Sequence, residues 1–217
     1  MATGIDVAGL ADLLAARSRG AGRLVCAVAG APGSGKSTLA EGLVERLNAP
    51  AMGGAEGTAA LLPMDGFHFD DLYLVPSGLR PRKGAPDTFD VGGLRSALLR
   101  LRARDEPSVA VPVFDRGLEI ARAGARLIPA AVPVVVCEGN WLLLDRAPWD
   151  GLAPLFDVTV MIAVPEEELR RRLRGRWEGY GLTEDEIAWK LDGNDLPNGR
   201  LVRDGSRAAD HVIAWSP

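Results

Sequence analysis

Lys36 and Ser37 carry the clearest chemical signal in this chain. They belong to the stretch Gly30-Ala31-Pro32-Gly33-Ser34-Gly35-Lys36-Ser37-Thr38, which satisfies every specified position of G-x-x-x-x-G-K-[ST]. Glycines there let the backbone wrap a phosphate and turn its N–H groups inward at a helix N-terminus, whose partial positive charge favours an anion. Lys36 can reach the outer phosphates of a nucleoside triphosphate, and the Ser37 hydroxyl is placed to hold magnesium. Lys36, Lys83 and Lys190 are the only lysines among 25 basic residues, so chance placement of a lysine here is a poor explanation. A glycine-rich turn is the bland alternative, and the context speaks against it. An apolar run over 24–29 precedes the stretch and a helical pattern over 39–47 follows it, the strand–loop–helix order the motif requires. The stretch reads as a nucleoside triphosphate site.

Two acids end apolar runs elsewhere. Glu138 follows Val134-Val135-Val136-Cys137, and a carboxylate at such a strand tip meets the metal directly or through water. A helix-capping or solvated carboxylate is the other reading. Asp65 follows the run 58–64. Phosphoryl transfer to an alcohol needs a carboxylate that orients the hydroxyl and accepts its proton, which makes Asp65 a candidate general base. An Asp-Gly turn explains Asp65-Gly66 equally well. The third feature is Glu166–Arg176, with acids first and arginines last. That order suits the helix dipole and i,i+4 pairing, so a solvated helix accounts for much of it. Arginines at 170, 171, 172, 174 and 176, with Gly175 and Gly179, also suit a mobile lid over about 170–182 that closes on phosphates. One or two of Arg170, Arg171, Arg174 and Arg176 are expected on the nucleotide. Arg174 is assigned to catalysis and Arg170 to nucleotide binding.

The elements that must position these groups alternate along the chain. Helix 5–18, strand 23–29 and the phosphate loop with its helix come first, then a Gly/Ala-rich connector over 49–57 and strand 58–64. The stretch 66–90, rich in Pro, Gly, Arg and Asp, is too long for a plain connection, and such loops are usually functional. Helix 91–103 leads to β segments 108–114 and 125–129, read as a projecting hairpin, and then to buried strands 133–138 and 158–164. A charged helix over 165–177, a helix over 183–193 and a strand over 211–215 close the chain. The pattern predicts one α/β domain over residues 1–217: a three-layer sandwich with a mostly parallel sheet, helices on both faces and an Arg-rich lid. Ligands in such folds sit beyond the carboxyl ends of the strands.

Composition narrows the partners. A net charge of -4 argues against a nucleic-acid surface. No apolar run reaches the length of a membrane span and no N-terminal signal pattern appears, so a cytoplasmic protein is expected. Cys26 and Cys137 lie in apolar runs and read as core. Trp141, Trp149 and nearby leucines suit either core or the surface of a homodimer. A GTPase switch would carry an N-K-x-D motif, and none is present. A nucleotide-binding module without catalysis is disfavoured by Lys36, Ser37, Asp65 and Glu138 together.

The strings GAPGSGKST, MDGFHFDD, RKGAPDTFD, VPVFDR and VCEGNWLLL, in that order, resemble the uridine kinase, phosphoribulokinase and bacterial pantothenate kinase family of P-loop NTPase fold. The small bacterial branch labelled fructose transport system kinase is the nearest likeness. The resemblance runs from about Gly22 to the C-terminus. It implies an ATP- and magnesium-dependent kinase acting on a small-molecule hydroxyl, of a sugar or polyol such as fructose or of a nucleoside-like acceptor. It implies Asp65 as base and Glu138 near magnesium. It places Arg82, Lys83 and Asp90 in an acceptor-binding loop over about 66–90, Asp115 and Arg116 in the acceptor pocket, and Asn198, in a C-terminal loop 194–200, on nucleotide or substrate. His68 stands where uridine kinases commonly have Tyr; it would hydrogen-bond a polyol, orient Asp65 or pack against Phe67 and Phe69. The longer C-terminal segments of pantothenate kinases are absent, so pantothenate is not supported; pantothenate- or uridine-type transfer and an acceptor-free regulatory NTPase are the alternatives.

Overall fold

A computed structural model of the chain describes residues 2–20, 22–49 and 57–216. Most of the connector expected over 49–57 therefore lies outside the described residues. The order is β1 (Thr3–Gly4), α1 (Val7–Arg17), β2 (Leu24–Gly30), α2 (Lys36–Asn48), β3 (Ala59–Pro63), α3 (Asp71–Leu74), α4 (Val91–Ala103), β4 (Ser108–Asp115), β5 (Ile120–Pro129), β6 (Val134–Gly139), β7 (Val158–Ala163), α5 (Glu166–Gly179), α6 (Glu184–Lys190), α7 (Leu196–Gly205) and β8 (His211–Ala214). Six strands form one parallel sheet in the order β1-β8-β7-β2-β6-β3. Every residue of β2 and β6 is buried, as continuous apolar runs covered on both faces must be. One face packs α1 and α2; the other packs α4, α7 and the β4–β5 hairpin. The expected three-layer arrangement is present.

Trp141 and Trp149 are buried in the second core layer, which removes them as a dimer surface. Their indole N–H groups donate to the backbone carbonyls of Gly84 (3.0 Å) and Pro86 (3.2 Å), pinning the end of the 66–90 stretch to the core. Cys26 and Cys137 are buried free thiols, and burial pushes Cys26 up to about 12, so both behave as small hydrophobes. No helix among the described residues is long and apolar enough to cross a membrane.

β5 starts earlier than expected, at Ile120, and two further differences bear on the site. β3 stops at Pro63, and Met64–Phe67 form a 3-10 turn, so Asp65 sits on a turn beyond the strand tip. The hairpin lies against this turn: a Cβ on Gly66 would overlap the Pro112 carbonyl, so only glycine admits the close approach. The second difference is 194–200, expected as a loop. A π-helical turn over Leu191–Asp195 runs directly into α7, with Pro197 in the first turn where its missing N–H costs nothing.

Candidate active site

The phosphate loop follows β2 and opens α2. Gly33 and Gly35 have φ of 78° and 87°, left-handed values that aim successive N–H groups into one concave face. The Ser34 hydroxyl oxygen is buried without a partner among the described residues, and a Cβ on Gly30 would collide with it. This is a cradle built for an anion. α5 closes on it from above: Leu173 packs where a Gly33 side chain would stand, and Arg172 Nη1 donates to the Ser34 carbonyl at 3.3 Å.

Sheet register brings the acids to this loop. Glu138 pairs with Val28 on one side and Pro63 on the other, so its carboxylate rises between the phosphate loop and the Asp65 turn. Ser37 Oγ donates to Glu138 Oε2 at 3.1 Å. Burial, reinforced by the nearby Asp65 charge and opposed by Lys36, raises the Glu138 pKa above its ordinary value. Asp65 behaves oppositely: burial would raise it, but His68, Lys36 and Arg116 together hold it below the usual carboxylate range. Arg116 Nη2 donates to Asp65 Oδ2 at 2.8 Å from the hairpin tip.

His68 Nδ1 lies 2.8 Å from the Asp65 backbone carbonyl. A carbonyl only accepts, so Nδ1 carries the proton and Nε2 keeps its lone pair. The ring lies against Phe89 (centroids 4.0 Å) and Phe114 (4.8 Å), not against Phe67 and Phe69 as the packing alternative had it. Burial lowers its pKa from 6.5, so it is neutral at pH 7.

Lys36, Ser37, Asp65, His68, Lys83, Arg116 and Asn198 share one cleft with Pro32, Gly33, Gly35 and Thr38. Three residues expected in the acceptor pocket do not line it. Arg82 is exposed and pairs with Asp87. Asp90 caps α4, accepting from Gly93 N at 2.7 Å. Asp115 shapes the hairpin turn, accepting from Gly117 N and from Arg122 at 2.7 Å. Arg170 and Arg174 also point elsewhere, to Asp192 (2.6 Å) and Glu184 (2.8 Å). The reason is helical phase: residues four apart share a face, so 170 and 174 bridge toward α6 and its π turn, while 172 and 176 face the phosphate loop and cleft. Arg176 lines the cleft with no ion-pair partner among the described residues.

Arg80, Phe114, Glu119, Asn140, Trp177, Lys190, Asn194 and Asp195 line the cleft without having been singled out from sequence. The i,i+4 spacing of Asn194 and Asn198 was a usable signal; the others arrive through long-range packing. Lys83 donates to Asp71 (2.8 Å) and to the Glu119 carbonyl (2.6 Å), so it braces the 66–90 loop against the hairpin.

The sequence matches no protein-family model. It is 37% identical over 195 residues to "Uncharacterized protein YggC" of Escherichia coli, covering 88% of this chain and 77% of that one. It is 30% identical over 197 residues to "Putative uridine kinase C227.14" of Schizosaccharomyces pombe, covering 88% and 83%. A solved structure described as a "putative fructose transport system kinase" from Silicibacter sp. TM1040 superposes with a TM-score of 0.86 at 39% identity, over 98% of this chain and 100% of that one.

Proposed function

This chain belongs to the uridine kinase-like family of P-loop kinases, and we propose that it transfers the γ-phosphoryl group of ATP to a hydroxyl of a small polar metabolite, a sugar, a polyol or a nucleoside-like molecule. One observation carries the reading: Asp65, an ionised carboxylate, faces the same cleft as Lys36 and the phosphate loop. An alcohol seated against Asp65 is oriented by its carboxylate. Its oxygen attacks the γ-phosphorus in line with the bond to the β-phosphate oxygen, its proton passes to Asp65, and ADP leaves with the bond's electron pair. Lys36 and Arg176 balance charge on the transferring group.

Ser37 Oγ and Glu138 Oε2, 3.1 Å apart, are oxygen donors of the kind a hard divalent cation takes, and they would hold magnesium beside the phosphate loop. Such an ion, when bound, neutralises phosphate charge. Glu138 serves it only when ionised.

The Asp65→Asn variant tests the base. Its kcat should fall by about 10²–10⁴-fold with the KM for ATP within about twofold. Full transfer by this variant would remove Asp65 from the mechanism.

A further inference from the structure

We infer that Lys190 holds the terminal phosphate of the nucleotide, and that Trp177, anchored by Asp195, is the positioning residue that keeps Lys190 unneutralised at the cleft. The inference rests on the phosphoryl-transfer reading and adds residues to its machinery.

α5 and α6 neutralise most of their own cations. Arg170 pairs with Asp192 (2.6 Å), Arg171 and Arg172 with Glu168 (2.7 Å each) and Arg174 with Glu184 (2.8 Å). Arg176 and Lys190 have no ion-pair partner among the described residues, and these two line the cleft with Lys36. On the acceptor side, Arg80, Lys83 and Arg116 each contact Asp71 or Asp65. The unmatched positive charge of the cleft is therefore that of Lys36, Arg176 and Lys190, and an anion in the cleft is drawn to them. Leu173, four residues before Trp177 on α5, packs on Gly33, which seats this wall directly against the phosphate loop. The phosphate that extends from that loop toward Asp65 is the terminal one.

A carboxylate is near Lys190, and Lys190 does not take it. Burial raises the pKa of Asp195, and its Trp177 hydrogen bond and the charges of Arg176 and Lys190 oppose that rise. Asp195 Oδ2 accepts from Trp177 Nε1 at 2.8 Å, whereas neither cation comes within ion-pair distance. An indole has a single N–H, so this bond fixes the plane of the ring. Lys190 Nζ lies 5.0 Å from the centre of the Trp177 side chain's aromatic system and 6.0 Å from that of Trp189. An ammonium over an aromatic face is held by the ring's charge distribution while its N–H donors remain for another acceptor. The backbone supports the pairing. The π turn Leu191–Asp195 begins directly after Lys190 and closes over five residues rather than four, so Lys190 and Asp195 both reach the cleft.

The test is calorimetric titration of the full chain, in magnesium, with ADP and with a non-hydrolysable ATP analogue. The two nucleotides differ by the phosphate assigned to Lys190. Lys190→Ala should weaken the analogue by about 10–100-fold, the loss of a charge-assisted hydrogen bond, and leave ADP within about twofold. Lys190→Arg, which keeps a cation over the indole, should bind the analogue within about threefold of the wild type. Trp177→Leu keeps an apolar side chain in the wall but removes the ring and its N–H. It should weaken the analogue by about fivefold or more, with ADP again within about twofold. Residues that only stabilise α5 and α6 would move both nucleotides together. The inference is overturned by Lys190→Ala binding the analogue normally, by equal losses for ADP and the analogue in either variant, or by Trp177→Leu leaving the analogue unaffected. None of these readings uses transfer. A chain that gives them all but phosphorylates no acceptor would keep Lys190 on the terminal phosphate and overturn the transfer reading.

Discussion

Asp65 and Glu138 are two carboxylates in one buried site whose environments drive their protonation apart. Asp65 is held ionised, against its burial, by the charges of Lys36 and Arg116, whereas Glu138 is raised by burial and by Asp65 itself. The raised value has a consequence for stability. A folded state that binds the Glu138 proton more tightly than the unfolded chain loses stability as pH rises from the ordinary value of 4.5 through the raised one. Glu138→Gln removes that loss and keeps an acceptor for Ser37. At pH 7 its Tm should exceed that of the wild type by about 2–4 °C while activity is lost; at pH 4, where Glu138 is protonated in both states, the two melts should coincide. A lower Tm at pH 7 would mean that Glu138 is held by attraction rather than strained by burial. His68 is the quieter partner, neutral at pH 7 with a defined tautomer.

At the scale of elements, α5 decides which arginines can act. Arg172 and Arg176 share the face toward the phosphate loop and cleft; Arg170 and Arg174 bridge to Asp192 and Glu184. Arg176→Ala should therefore lower kcat by about 10–100-fold, and Arg170→Ala or Arg174→Ala should leave it within about twofold. Steady-state rates at saturating ATP decide; the reverse ranking would mean that α5 rotates before transfer. The arginine cluster was visible in sequence, but its phase relative to the phosphate loop was not, because that phase depends on Leu173 seating against Gly33. Strands were easier. Buried parallel runs such as Val134–Cys137 can hardly be anything else, and the phosphate loop carries its own context. α7 was missed because Asn194-Asp195, Pro197 and Gly199 each favour a turn locally. Packing overrode them: Leu196, Asn198, Gly199 and Val202 are buried, and Gly199 lies against Ala31 of the phosphate loop. Of the residues named from sequence, Asp65, His68, Lys83, Arg116 and Asn198 share one cleft. Resemblance also placed Arg82, Asp90 and Asp115 there, residues whose side chains shape the loop, helix cap and hairpin around it.

For the whole molecule, the parallel sheet sets the phosphate loop, Glu138 and the Asp65 turn side by side at the carboxyl ends of neighbouring strands β2, β6 and β3. Core layers on both faces hold these ends rigidly, and the hairpin, the 66–90 stretch and the α5–α7 segment add the remaining walls of the cleft. On the proposed reading, donor and acceptor halves face each other across this cleft, and the phosphoryl group passes to an acceptor rather than to water. Following the label of γ-labelled ATP in the presence of magnesium and a mixture of sugars, polyols and nucleosides tests this most directly. The label should appear in an organic phosphate ester, well above the inorganic phosphate released without an acceptor. Label recovered only as inorganic phosphate, at the same rate with and without the mixture, would contradict it.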